Sequence, residues 1–179
     1  MNQTVSLDVY ERLGIDPQLT ADEVVVLTHE QRDRGRMRLQ SLNGAEVRLF
    51  LERGKPLLVG EKLQSQCGKI VEVQGAEEEV TYATCDDWYT FTRGCYHLGN
   101  RHVKLQIGER WLQMTPDHVL EEMLQLLGLT TERRVAVFVP ESGAYSGGHS
   151  HGHSHGHSHG HSHGHDHSQD HEHHGHHHH

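Results

Sequence analysis

The sequence predicts an α+β protein that ends in a disordered, histidine-rich tail. In the first half, apolar and polar residues alternate at the period of a β-strand, and the second half combines such strands with two stretches of helical periodicity. The last 31 residues contain no aliphatic or aromatic hydrophobe, so they cannot bury apolar surface to offset the entropy of ordering. We therefore expect three parts, at residues 1–75, 76–146 and 147–179.

Residues 1–75 are expected to form a small all-β domain. Asn43-Gly44 is a strong hairpin signal between two alternating runs, and Pro and Gly punctuate the other turns. His29 stands alone between Thr28 and Glu30 and is expected to be a surface residue. Four alternating arginines are expected to share one solvated face of a strand: Arg32, Arg34, Arg36 and Arg38. Strands are predicted at residues 5–9, 24–27, 36–40, 47–51 and 70–73.

A charged, turn-like link at residues 75–79 is expected to open the second domain. One helix is predicted after Asp86 as N-cap. A second is predicted with Thr115 as N-cap and Pro116 at its first position, and its apolar stripe stops at Gly128. The order β-α-β-β-α-β is that of the ferredoxin-like fold, also called split βαβ. The strands are predicted at residues 80–84, 103–107, 111–114 and 133–138, and the helices at 88–98 and 119–127.

Composition restricts the function classes. The formal net charge is −9 with neutral histidines, and no basic run suggests a nucleic-acid partner. The three cysteines form no CxxC pair, which favours reduced thiols over a disulfide framework or a thiolate zinc site. No apolar run approaches the ~20 residues that span a bilayer. We expect a soluble, cytoplasmic protein without membrane partners.

The tail predicts metal binding. Seventeen of the 21 histidines lie within residues 149–179, mostly as a Gly-His-Ser-His repeat. Neutral imidazole is a good ligand for Ni²⁺, Zn²⁺ and Cu²⁺, and no tail thiol is present to favour softer metals. An expression tag could supply residues 176–179 but not the serine-interspersed repeat before them. The predicted tail ligands are His149, His151, His153, His155, His157, His159, His161, His163, His165, His167, His171, His173, His174, His176, His177, His178 and His179.

His97 and His102 are the central candidates outside the tail. A separation of five residues does not place both on one helix face, so they are not expected to chelate one ion as a local pair. Spacing alone favours ordinary hydrogen-bonding roles for both at a helix end. A homodimer with His97 near its two-fold axis would instead present two imidazoles to one ion.

Several segments together resemble the urease accessory protein E family of nickel metallochaperones. Residues 95–102, which read Cys-Tyr-His-Leu-Gly-Asn-Arg-His, carry most of the likeness, and residues 116–124 extend it. Residues 27–32, 50–54 and 138–145 also resemble the family, as does the histidine-rich end.

The resemblance implies an N-terminal domain similar to a peptide-binding domain of chaperones and a ferredoxin-like domain that mediates a homodimer. It implies an interfacial metal ligand at His97, with His102 structural and His118 a surface or packing residue of its helix. Residues 112–115 contain no histidine, so the secondary surface site of some relatives is not expected here.

The function expected from the resemblance is that of a nickel carrier, not an enzyme. Ni(II) is the expected cargo, and Zn(II) or Cu(II) can compete with it for the same ligands. The expected partners are a urease accessory GTPase and the urease apoprotein–accessory complex, and the dimer can link through metal into a tetramer. This chain has no GxxxxGK[ST] motif of its own. The main alternative is a storage or detoxification protein for nickel, zinc or copper, and a second is a peptide-binding co-chaperone that metal regulates.

Overall fold

The computed structural model describes residues 6–143. Its first sheet has six strands, and a one-turn helix lies between the second and the third. These elements are β1 (Ser6–Gly14), β2 (Glu23–Leu27), α1 (His29–Arg32), β3 (Arg36–Gln40), β4 (Glu46–Phe50), β5 (Lys62–Ser65) and β6 (Ile70–Gly75). The predicted all-β character of this half is confirmed, and each predicted strand is present.

The strands of this sheet follow the order β2-β6-β5-β1-β4-β3. β3 and β4 form the predicted antiparallel hairpin, in which the Ser41 amide donates to the Ala45 carbonyl over 2.9 Å and Gly44 takes φ +84°. β1 pairs with β4, and β2 with β6, in parallel. Side chains that alternate along these strands meet in one core, where Leu7, Val25 and Leu63 are fully buried.

Strand β5 was not predicted. Its residues are Lys-Leu-Gln-Ser, so only Leu63 carries the apolar signal of a strand. The polar side chains find local partners: Lys62 pairs with Glu72 of β6, and the Ser65 hydroxyl donates to the Lys69 carbonyl. Backbone pairing with β1 and β6 therefore determines that these residues form a strand, whereas hydrophobic periodicity does not indicate one.

The second sheet holds the remaining strands in the order β10-β7-β9-β8, and every neighbouring pair is antiparallel. The elements are β7 (Glu77–Thr84), α2 (Trp88–Asn100), β8 (Gln106–Ile107), β9 (Trp111–Met114), α3 (His118–Leu127) and β10 (Thr130–Val137). The predicted order β-α-β-β-α-β is confirmed. Phe91 and Leu98 of α2 and Leu124 of α3 pack with Ala83 and Leu112 of the sheet.

Several predicted boundaries were wrong. The N-cap of α2 is Asp87, whose carboxylate accepts the Thr90 amide, and not Asp86. The N-cap of α3 is Asp117, which accepts two backbone amides, and not Thr115. β7 begins at Glu77, inside the stretch predicted to be a link. Of the strand predicted at residues 103–107 only Gln106–Ile107 is paired, since the chain before it closes the turn after α2.

The two sheets meet at a joint around α1. Arg32 is buried and donates to the Leu27 carbonyl over 2.8 Å and to the Phe138 carbonyl over 2.5 Å. His29 is also buried, and its backbone amide and ring Nδ1 both bond the Glu78 carboxylate over 2.8 Å. The predictions that His29 is a surface residue and that Arg32 lies on a solvated strand face were therefore wrong.

Residues 6–143 belong to one compact unit. The domain boundaries after residues 75 and 146 stay a prediction, because contacts at the joint hold the two sheets together in this unit. No helix in this part is long and apolar enough to cross a membrane. The predicted disorder of the tail and all of its ligands lie outside the described residues.

The candidate metal-binding turn

The end of α2 positions His97. Phe91, Gly94 and Leu98 face the core from this helix, so His97 lies beside the buried Leu98 at the edge of the apolar face and is half-buried. Its ring contacts the Tyr96 ring edge to face, with 5.4 Å between centroids. Tyr96 itself is 69% exposed, so this pair lies at the protein surface.

Backbone hydrogen bonds close the turn that follows, residues 97–102, which we call the histidine turn. The Leu98 carbonyl accepts the amides of Arg101 and Val103 over 3.1 and 3.2 Å. The His102 amide donates to the Gly99 carbonyl over 2.9 Å. The Arg101 guanidinium donates to the His97 carbonyl over 3.0 Å. Together these contacts define the path of the chain between the two histidines.

His102 occupies an uncommon backbone conformation. Its φ is +57°, in the left-handed region, where histidine is tolerated better than bulky or β-branched residues. Its side chain is exposed. The turn therefore presents this imidazole to solvent at some cost in backbone strain.

Neither imidazole has a hydrogen-bond partner within residues 6–143. The hydrogen-bonding roles that spacing favoured for both rings are therefore not observed, and their ring nitrogens are available to a ligand. Within the same residues no group of three or more His, Cys, Asp or Glu side chains is placed to hold a metal ion. A complete coordination shell at the histidine turn must draw ligands from elsewhere.

The other candidate ligands are less suited to this role. His118 is exposed at the first residue of α3, which agrees with a helix-surface role. Cys95 lies two residues before His97, and burial raises the pKa of its thiol, which disfavours the thiolate that binds metals. All three cysteines are free thiols, as predicted. The histidine turn thus offers nitrogen ligands and no readily available sulfur.

Comparison with known proteins identifies the family. A model described as "UreE urease accessory protein, C-terminal domain" matches residues 78–167, and one for the N-terminal domain matches residues 5–76. This chain belongs to the UreE urease accessory protein family. It is thus an accessory protein and not an enzyme, as the resemblance implied.

Individual UreE proteins are similar to most of this chain. Urease accessory protein UreE of Marinomonas sp. strain MWYL1 is 66% identical over 143 residues, which cover 78% of this chain and 95% of the relative. UreE of Alteromonas mediterranea is 52% identical over 124 residues, covering 69% and 80%. UreE of Psychromonas ingrahamii is 47% identical over 139 residues, covering 78% and 91%.

Sequence reasoning overlooked α1 and the roles of His29 and Arg32. One signal could have found the helix: Thr28-His29-Glu30-Gln31 fits the capping-box pattern, and the structure contains both of its reciprocal hydrogen bonds. No local pattern could have found Glu78 or Phe138, because these partners lie 49 and 106 positions away along the chain.

Proposed function

We propose that this protein binds Ni(II) and donates it during assembly of the urease active site, through a urease accessory GTPase and the urease apoprotein complex. The observation that carries the proposal is the histidine turn, where two imidazoles on a hydrogen-bonded scaffold have no hydrogen-bond partner within residues 6–143. Membership of a family of urease accessory proteins supplies the urease context.

A single chain is insufficient for a tight site, because the described residues offer no group of three ligands. We propose a homodimer in which His97 of each protomer lies near the two-fold axis, so that symmetry doubles the ligands. A metal-linked tetramer is the next assembly that this arrangement permits. Nitrogen ligands without thiolate keep the ion exchangeable, as transfer to a partner requires.

The tail is proposed to supply the remaining ligands. The position of Glu141, shortly before the tail begins, favours this. The Glu141 amide donates to the Leu105 carbonyl over 2.6 Å, and Leu105 is three positions past His102. Only seven residues, 142–148, separate Glu141 from His149, the first of the predicted tail ligands. Tail imidazoles would therefore have a high effective concentration near the histidine turn.

His102 is a second candidate for the first ligand. The resemblance implied His97, with His102 structural, yet the His102 ring is exposed and has no hydrogen bond, ion pair or ring contact within the described residues. Its left-handed backbone sets the direction of this ring, and strain of this kind is typical of functional positions. We therefore treat the two histidines as alternatives for the interfacial position.

The test is calorimetric titration of Ni²⁺ into the full chain and a truncation ending at Gly148. The truncation is also prepared with His97→Ala, with His102→Ala and, as a matched control, with His118→Ala. We expect the truncation and the control to keep one tight ion per dimer, and the substitution of the true interfacial ligand to abolish it. Retention of tight binding by both turn variants would overturn the proposed site.

A storage or detoxification protein is the second candidate function, and the 17 tail histidines favour it. In that case the tail would bind nickel, zinc or copper at many weak sites, and the histidine turn would be dispensable. The same titration separates the two functions: loss of all tight binding on truncation would favour storage over delivery. Transfer of Ni(II) to apo-urease by the truncation would favour delivery.

A further inference from the structure

Two exposed aromatic side chains stack on the face of the first sheet that points away from its core. The rings of Tyr10 in β1 and Phe50 in β4 lie 5.1 Å apart between centroids, with 12° between their planes. Tyr10 is 58% exposed and Phe50 is 40% exposed, although the residues before them, Val9 and Leu49, are buried. Exposed aromatic residues of this kind are enriched at protein–protein interfaces, as arginine is.

Arg36 is an unpaired cation beside this aromatic pair. It lies directly opposite Phe50 in the β3–β4 hairpin, and cross-strand partners share one face of a sheet. Its guanidinium has no hydrogen bond or ion pair within residues 6–143. Two other arginines of the same face are engaged: Arg48 pairs with Asp8, and Arg38 pairs with Glu46.

Two further arginines, Arg34 and Arg53, lie in the turns at this end of the hairpin. Both are exposed, and neither guanidinium has an ion pair within the described part of the chain. The Gly35 carbonyl accepts the Leu51 amide over 2.7 Å, so the two segments stay side by side just beyond the strands. This end of the hairpin is therefore cationic in a chain whose formal net charge is −9. We call the following residues the aromatic–arginine patch: Tyr10, Arg34, Arg36, Phe50 and Arg53.

Two carboxylates close to the patch leave its positive charge uncompensated. Glu52, next to Arg53, pairs with Lys55 over 3.0 Å. Glu11 has no ion pair within residues 6–143, but it lies on the other side of Tyr10, beside Gln64 of β5. Free negative charge therefore lies toward β5, and free positive charge lies toward β3. A binding segment whose carboxylates reach the arginines has to lie over β4 and β3, away from Glu11.

We propose that the aromatic–arginine patch binds an acidic segment of a partner protein, which places an apolar side chain on the Tyr10–Phe50 pair and carboxylates on the arginines. Guanidinium groups suit this role because they pair with carboxylates in a bidentate geometry. Nucleic acid also carries negative charge, but the net charge of −9 on this chain disfavours such a polyanion. This inference does not depend on the metal or on delivery to urease.

The test uses the full chain, freed of metal near neutral pH, and the fluorescence anisotropy of a labelled peptide with a central phenylalanine between two runs of glutamate. The parent chain should bind this peptide more tightly than versions with lysine in place of glutamate or glycine in place of phenylalanine. Arg36→Gln should weaken binding about two- to fivefold, as for an exposed ion pair. The matched control is Arg38→Gln, which alters an arginine already paired on the same strand and should leave binding close to that of the parent chain. Glu11→Gln should strengthen binding, because it removes a like charge beside the site.

Charge reversal gives a result that loss of folding cannot imitate. Arg36→Glu should shift the preference of the chain from the glutamate peptide toward the lysine peptide. Equal weakening by Arg36→Gln and Arg38→Gln would overturn the patch as the binding site, and so would a parent chain that does not prefer the glutamate peptide.

Two other occupants are tested with the same variants. Tighter binding of labelled oligothymidylate than of the glutamate peptide, lost in Arg36→Gln, would overturn the proposal in favour of nucleic acid. Further association of the chain in sedimentation velocity, lost in Arg36→Gln, would overturn it in favour of a second copy of this chain. We expect neither result.

Discussion

Leu98 offers the sharpest test of how the core supports the histidine turn. Its side chain is fully buried among Phe91, Leu112 and Leu124, and its carbonyl accepts two of the amides that close the turn. Leu98→Ala removes three heavy atoms from a packed site and leaves a cavity. Substitutions of this kind lower the free energy of unfolding by about 2–5 kcal/mol. We expect about 3 kcal/mol, because the neighbouring chain after α2 can partly relax into the space.

Urea unfolding, followed by circular dichroism, measures this loss directly. The matched control is Leu126→Ala, in which the same atoms are removed from a side chain that is 82% exposed on α3. The control should change the free energy of unfolding by no more than about 0.5 kcal/mol. Equal losses in the two variants would refute the argument, because burial within one chain would then not determine the energetic cost.

Two further predictions concern α3. Asp117→Ala should lower the free energy of unfolding by about 1 kcal/mol in the same assay, since this carboxylate accepts the first free amides of the helix; no loss would mean that water replaces the cap fully. The hydroxyl of Thr81, and then Arg133, hold the pKa of Glu121 below its ordinary value. A lowered folded-state pKa stabilises the protein above the unfolded pKa, near pH ~4.3, and this stabilisation is lost as pH falls through the folded value. Glu121→Gln should thus cost more stability at pH 6 than at pH 3 by urea unfolding, whereas exposed Glu132→Gln should show no such pH dependence.

The helices and strands with a regular apolar pattern could be predicted from the sequence, because each of them buries only one of its faces. In the β3–β4 hairpin, Met37, Leu39, Val47 and Leu49 alternate with polar residues, and the strands form as that alternation requires. The β-α-β-β-α-β order followed from the same logic. Sequence was less reliable at helix ends, since Asp86 and Asp87 are equivalent in pattern and only Asp87 reaches the Thr90 amide.

The sequence by itself led to the prediction of metal binding, because an imidazole-rich segment needs no fold to offer ligands. The run at residues 95–102 likewise shows the resemblance to the family without reference to the fold. Fold and family could both be inferred before any coordinates were known, because each depends on local pattern.

Only the tertiary structure showed which side chains distant in the sequence contact one another. It buried His29 against Glu78, placed Arg32 between the two sheets, and left the rings of the histidine turn without hydrogen-bond partners within residues 6–143. It also placed Glu141, shortly before the tail, against Leu105, which follows that turn. Such contacts join residues far apart in the chain, so they depend on how whole sheets pack, and no local periodicity encodes them.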